Sequence, residues 1–306
     1  MSTSLGADEN LVDGSTRQLG ERKIGALGFG CWRLVGEDTQ SATALIAHAL
    51  ELGMTLIDNA DVYGLDWGGQ AFGESETLLG RVLRETPALR QQMVLASKGA
   101  ILPGVPYVAN SAYLNAACDA SLARLNSETI DLYQIHRPDM FTHPRETADA
   151  LDGLVEAGKI AMVGVSNHTQ AQVHALRAYL KAPLVSLQNE YSVANLDMLR
   201  DGTLDLCMET DLTPLAWSPL AGGALISGDG QPETLLQQLD ALAARENVDR
   251  AAIALAFILA HPANMVAIIG SQSADRLSAA AAAKNVTLTR ADVYSLIEAS
   301  EGIALP

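Results

Sequence analysis

Residues 93–136 read MVLASKGAILPGVPYVANSAYLNAACDASLARLNSETIDLYQIH. Two short apolar runs, 93–97 and 130–135, flank a stretch whose apolar residues recur at helical spacing behind a cap at Asn110 or Ser111. The runs are continuous rather than alternating, so both faces are expected to be buried, as in a parallel sheet. The same strand-then-helix unit recurs in both directions along the chain. Further strands are expected at 26–30, 55–58, 160–165, 184–188, 213–216 and 265–269. Helical patterns fill 41–53, 74–85, 145–158 (ending on Gly158), 169–180, 196–209 and 231–261, the last broken around 247–249. About eight such units, with no Pro/Ser-rich linker between them, predict one closed (β/α)8 TIM barrel over residues 15–306 rather than an open doubly wound sheet. Two segments stand outside the repeat. Residues 15–25 are expected to form a hairpin plugging the barrel bottom, and residues 289–300 an extra C-terminal helix. Residues 1–14 read as a disordered acidic tail.

Composition narrows the function. The chain has 306 residues, 48% hydrophobic, with a formal net charge of −16. That balance argues against a nucleic-acid surface or a polybasic membrane anchor, although a few local cations still suffice for one phosphate. The N-terminus lacks the basic and apolar regions of a signal peptide, and no apolar run reaches transmembrane length, so a cytoplasmic protein is expected. Cys31, Cys118 and Cys207 are widely spaced and odd in number, which argues against a disulfide scaffold or zinc ribbon. Nothing in the sequence fixes an oligomeric state.

In a (β/α)8 barrel the active site is built at the C-terminal ends of the strands. Four titratable side chains fall there on consecutive strands: Asp58 and Tyr63 after the second, Lys98 after the third and His136 after the fourth. A free phenol, with a pKa of about 10, is a poor acid at neutrality. A nearby ammonium lowers that value, and a carboxylate keeps the ammonium charged and oriented. Tyr63 then serves to protonate a carbonyl oxygen as hydride reaches the carbon, with His136 bonded to the same oxygen. Each residue also has a plainer reading: a turn aspartate, a rim tyrosine, a solvated lysine, a core histidine. Their joint position at one face carries the case. The glycine-rich loop 64–73, with Trp67 and Phe72, is read as covering the substrate mouth, against the alternative of a mobile surface loop.

Around these residues the chain resembles the aldo-keto reductases. The resemblance rests on Asp58-x4-Tyr63-Gly64, Lys98, Leu132-Tyr133-Gln134-Ile135-His136-x-Pro138, Gly164-Val165-Ser166-Asn167, Gln188-Asn189-x-Tyr191 and Trp217-Ser218-Pro219-Leu220, in order from about residue 17 to 283. It implies a barrel that binds a nicotinamide dinucleotide without a Rossmann motif, and no GxGxxG follows Gly28-Phe29-Gly30. It makes Tyr63 the general acid, tuned by Lys98 and Asp58, with His136 orienting the carbonyl. Ser166, Asn167 and Gln188 would bind the nicotinamide carboxamide and Trp217 would stack on its ring. Gly30, Cys31 and Trp32 on the first-strand loop, together with Asp58, would contact the cofactor, with Trp32, Trp67, Tyr63 and His136 facing substrate. Ser218, Leu220 and Gly222 would fold over the pyrophosphate, and Gly270, Ser271, Gln272 and Arg276 would hold the adenosine end. Arg276 falls where the family grips the 2′-phosphate of NADP. The lysine many members carry after strand eight is Gly270 here, and Ala279-Ala280 replaces a Glu-Asn pair. NADP is the expected cofactor, with NAD use left open.

The expected activity is NADPH-dependent reduction of an aldehyde or ketone, a small-molecule partner, with no nucleic acid or membrane involved. A second reading is a cofactor-binding, redox-sensing regulatory subunit with little turnover, as known among potassium-channel β-subunits of the same fold. A metal-dependent barrel hydrolase is a third, but the His-x-His such enzymes carry on the first strand is absent, and no metal site is expected.

Overall fold

The computed structural model describes residues 6–65 and 67–306. Two short antiparallel strands come first, β1 (Arg17–Leu19) and β2 (Arg22–Ile24). Eight parallel strands follow: β3 (Leu27–Gly30), β4 (Leu56–Asp58), β5 (Val94–Gly99), β6 (Ile130–Ile135), β7 (Ile160–Ser166), β8 (Leu184–Glu190), β9 (Thr213–Trp217) and β10 (Val266–Ile269). They pair in chain order and β10 returns to β3, so the sheet closes into a barrel. This is the (β/α)8 architecture expected from the repeat.

Strands β5, β7, β8 and β9 run one or two residues beyond their expected ends. The apolar runs stop where Lys98, Ser166, Asn189 and Trp217 begin, but the parallel ladder continues through them. Those last residues are the ones that reach the open end of the barrel.

Local signals set the helices. Asn110, not Ser111, caps the helix Ser111–Leu125, its side-chain oxygen accepting the Tyr113 N–H at 2.9 Å. The break expected near 247–249 is formed by left-handed Asn247 and the N-cap Asp249, between helices Glu233–Glu246 and Arg250–Leu259. The pattern over 196–209 gives two short helices rather than one, Asp197–Arg200 and Thr203–Glu209, because Gly202 sits between them at φ 80°.

The hairpin closes the lower end of the barrel. Leu19 and Ile24 are buried in one apolar cluster with Leu56, Val94, Leu132, Val185, Leu215 and Val266, which point inward from the strands. Arg17 is buried beside it and donates through Nε to the Met265 carbonyl at 3.2 Å. A second, larger cluster fills the space between strands and outer helices. The expected C-terminal helix spans Arg290–Glu301, opened by a Thr289/Asp292 capping box and anchored to the helix Glu233–Glu246 by Gln238 Nε2 donating to Ser295 Oγ at 2.9 Å.

The expected disordered tail needs correction. Residues 1–5 lie outside the described residues, but from Asn10 onward the chain is pinned to the body. Asn10 Oδ1 accepts the Leu288 N–H at 3.0 Å, Leu11 N–H donates to the Leu288 carbonyl at 2.8 Å, and Asp13 N–H donates to the Leu259 carbonyl at 3.2 Å. Backbone bonds to helix-flanking carbonyls hold this segment despite its polar composition. Among the described residues, no helix is long and apolar enough to cross a membrane.

Truncating the plug tests its part in the core. Leu19→Ala should lower unfolding free energy by about 2–5 kcal/mol, read as a shifted urea midpoint. An unchanged midpoint would separate the hairpin from the barrel core.

Candidate active site

Strand register brings the titratable residues together. Asp58 ends β4, and Lys98 lies near the end of the neighbouring β5. The Lys98 ammonium donates to Asp58 Oδ2 at 2.7 Å, to the Asn59 carbonyl at 2.9 Å and to Tyr63 Oη at 3.2 Å. Three acceptors satisfy its three protons with no water contact. Asp58 Oδ1 accepts from Gln134 Nε2 at 3.2 Å and Gln188 Nε2 at 3.0 Å. Burial pushes the lysine pKa down, but the Asp58 carboxylate and Tyr63 push it up further, so the ammonium persists.

Tyr63 departs from expectation in one respect. Burial raises its pKa, and the opposing pull of Lys98 only partly offsets that, so the phenol stays protonated at neutral pH. The His136 ring stands edge-on to it, with centroids 5.7 Å apart and an interplanar angle of 80°. Burial first, then Lys98 and Arg137, hold the His136 pKa well below its usual value, so the imidazole is neutral. Its Nδ1 is buried without a partner among the described residues.

The residues expected at the nicotinamide form a second connected group. Ser166 Oγ donates to the Gln188 carbonyl at 2.8 Å, and Asn167 Nδ2 donates to Ser166 Oγ at 2.8 Å and the His136 carbonyl at 3.0 Å. Trp217 Nε1 donates to Asn167 Oδ1 at 3.1 Å. Asn167 adopts φ 57°, a left-handed conformation that asparagine tolerates and that turns its amide into this group. After Trp217, Ser218 (φ 50°), Ala221 (φ 50°) and Gly222 (φ 67°) make a tight loop in which Leu220 is partly buried against the core.

At the end of β3, Gly30 leads to Cys31, whose N–H donates to the Asp58 carbonyl at 2.9 Å. Burial pushes the Cys31 thiol up, which suits a structural residue. Trp32 meets Trp67 at 5.2 Å between ring centroids. Of the loop 64–73, Asp66 lies outside the described residues. On the far side of β3, Gly270, Ser271 and Gln272 follow β10, and Ser273 caps the helix Ala274–Ala281 by accepting the Arg276 N–H at 3.4 Å. The Arg276 side chain is exposed there, and no hydrogen bond among the described residues ties it to the Lys98 group.

Sequence reasoning missed several members. Gln134 shares the inward face with His136, two residues on, so strand alternation offered a signal for it. Arg33 did not: its guanidinium stacks over Trp67 at 4.3 Å and donates to the Gly222 carbonyl at 3.3 Å. A buried acidic layer behind β5 was also missed. The Asp61 N–H donates to the Lys98 carbonyl at 3.0 Å, and its carboxyl accepts from Tyr113 Oη at 3.4 Å. Glu76, beside it, pairs with Arg124 at 2.7 Å. Burial and then Glu76 hold the Asp61 pKa well above the ordinary value.

That layer makes a signed prediction. The folded protein keeps a proton on Asp61 that the unfolded chain loses as pH rises through about 3.9, so Asp61 lowers stability with rising pH until its folded pKa is reached. Asp61→Asn, a neutral isostere, should therefore stabilise the protein more at pH 7 than at pH 4 in denaturant titrations. A gain independent of pH would mean that Asp61 is ionised in the fold.

Comparison with known proteins agrees with this geometry. The sequence model described as "Aldo/keto reductase family" matches residues 26–301. A 6-dehydroglucose reductase of Novosphingobium aromaticivorans is 44% identical over 295 residues, 95% of this chain and 97% of that protein. A 6-dehydroglucose reductase of Agrobacterium fabrum is 34% identical, over 88% of this chain and 91% of that protein. A solved aldo/keto reductase of Klebsiella pneumoniae, in complex with NADP and acetate, superimposes with a TM-score of 0.78 at 26% identity, covering 93% of this chain and 94% of that one. With its closed barrel and a family match across nearly all of it, the chain belongs to the aldo/keto reductase family of oxidoreductases.

Proposed function

We propose that this protein reduces the aldehyde of a sugar, of the 6-dehydroglucose type, to the primary alcohol, with NADPH as the reductant. The observation that carries the chemistry is the Tyr63 hydroxyl 3.2 Å from the buried Lys98 ammonium. The substrate class is taken from the relative that is 44% identical over nearly the whole chain.

The chain's own groups fit a nicotinamide dinucleotide. Ser166, Asn167 and Gln188 cluster side-chain amides and a hydroxyl suited to a carboxamide, beside the flat Trp217 ring. The exposed Arg276 at a capped helix start suits an added phosphate. When bound there, a nicotinamide dinucleotide would supply the hydride equivalent for the reduction. Tyr63 gives its phenolic proton to the carbonyl oxygen, completing the CH–OH group. The phenolate left behind faces Lys98, which Asp58 keeps charged, and it recovers a proton from solvent. His136, being neutral, offers an N–H to the same oxygen without adding a charge that competes with Lys98.

Steady-state oxidation of NADPH with 6-dehydroglucose, NADH run in parallel, tests this. Many turnovers per enzyme are expected. Tyr63→Phe should lower kcat by roughly 10²–10⁴ while leaving NADPH affinity unchanged. Full activity in that variant would remove Tyr63 from the chemistry, and tight NADPH binding without turnover in the unaltered protein would favour a redox-sensing subunit. Arg276→Ala should weaken NADPH roughly tenfold more than NADH, about 1.4 kcal/mol. Equal losses would show that Arg276 does not read the 2′-phosphate.

A further inference from the structure

Glu74 opens the helix Glu74–Glu85 and its carboxylate gathers backbone from two loops. Oε1 accepts the Gly36 N–H at 2.7 Å, from the loop after β3. Oε2 accepts the N–H groups of Gln70 at 2.5 Å and Ala71 at 3.3 Å, from the segment after Trp67. The Gly36 carbonyl is held from the other side by Arg81 Nη2 at 2.9 Å. The Gln70 and Gly36 N–H groups keep the Glu74 carboxyl below its ordinary pKa, as bonds to the charged form should.

The two loops joined by this carboxylate bring three large side chains together. The Trp67 indole meets Trp32 at 5.2 Å with a 46° tilt, and the Arg33 guanidinium lies 4.3 Å from the Trp67 centroid and 5.4 Å from that of Trp32. Arg33 also reaches the Gly222 carbonyl, so the stack spans from the loop after β3 to the one after β9. Trp67 still keeps 45% of its surface exposed. A half-exposed indole is unusual for a residue whose only task is packing, and here it is held at the rim of the strand ends that carry Tyr63, Lys98 and His136.

We infer that Glu74 is a positioning residue for substrate selection: its carboxylate holds Trp67 against Arg33 and Trp32, and this wall takes the distal, polyhydroxylated part of a sugar aldehyde. Resting on the proposed reduction of such an aldehyde, the assignment divides the work by chemistry. The indole faces cover the C–H face of a sugar ring, and the guanidinium bonds its hydroxyls, while the aldehyde reaches Tyr63. A short aldehyde uses only the second part.

The test compares 6-dehydroglucose with propanal in the full-length protein. Glu74→Gln replaces one of the accepting oxygens with a donor. It should raise KM for 6-dehydroglucose roughly tenfold with kcat within about twofold, and leave kcat/KM for propanal within about twofold. In a Trp67→Ala background the same change should have no further effect on KM, because both act through one indole. Equal losses on both aldehydes, or additive effects of the two substitutions, would overturn the inference. Turnover of neither aldehyde by the unaltered protein would instead strike the reductase reading. The positioning role would then be decided by acrylamide quenching of tryptophan emission, with Trp32 and Trp217 replaced by Phe. Glu74→Gln should make Trp67 more accessible to quencher, and unchanged quenching would refute it.

Discussion

A lysine ammonium without solvent contact exists inside this barrel because a carboxylate lies 2.7 Å away. Neither charge is stable alone at that depth. Removing one partner of such a pair typically costs about 3–5 kcal/mol, whereas a well-packed apolar pair of similar volume is often as stable or more so. The Lys98–Asp58 pair is therefore poorly explained as a stability device, and the surrounding structure is arranged to keep it. Gln134 and Gln188 spend their amide donors on the second Asp58 oxygen, and the Asn59 carbonyl takes a lysine proton. Strands β4, β5, β6 and β8 each contribute a member, which only a closed barrel brings to one point.

The two ends of the barrel answer that constraint differently. Below, Leu19 and Ile24 of the hairpin complete an apolar filling, so the lower interior is lined by hydrocarbon. Above, polar side chains enter from the ends of β4, β5, β6, β7 and β8 and bond one another or the neighbouring backbone. The ion pair sits where the filling gives way to this polar layer, deep enough for strong electrostatics and shallow enough for Tyr63 to remain only partly buried. Glu74 and Arg33 extend the same order outward, from the strand ends into the loops.

The sequence made the repeating part of this legible. Continuous apolar runs located all eight barrel strands, since burial on both faces leaves little else for those residues to do. It made the ends less legible for the same reason: Lys98, Ser166 and Trp217 look like the start of loops, yet they continue the ladder. Over 196–209 apolar spacing persists across Gly202 and predicts one helix, whereas the backbone breaks there. Asp58, Tyr63, Lys98 and His136 could be picked by position at strand ends. Gln134 hid in an apolar strand, and Asp61 and Glu76 read as ordinary turn and helix acids. Arg33 and Glu74 act across loops distant in sequence, and no local pattern encodes such contacts.

The direction of the Tyr63 pKa bears on how the proposed reduction would be driven. A phenol lowered toward neutrality in the free enzyme would already be partly ionised, and its attraction to Lys98 would be spent before any carbonyl arrived. Burial instead keeps the proton on Tyr63. In the proposed reduction the full ammonium–phenolate attraction would exist only once the proton had left, so it would stabilise the transition state and the product side rather than the resting enzyme. Interactions made in the transition state and withheld from the ground state are the ones that raise kcat. In that proposal a neutral His136 would serve the same end, since a second cation beside the phenol would favour early ionisation. Burial, which makes the lysine expensive to keep, would thus also hold its effect in reserve for the reacting state of the proposed reduction.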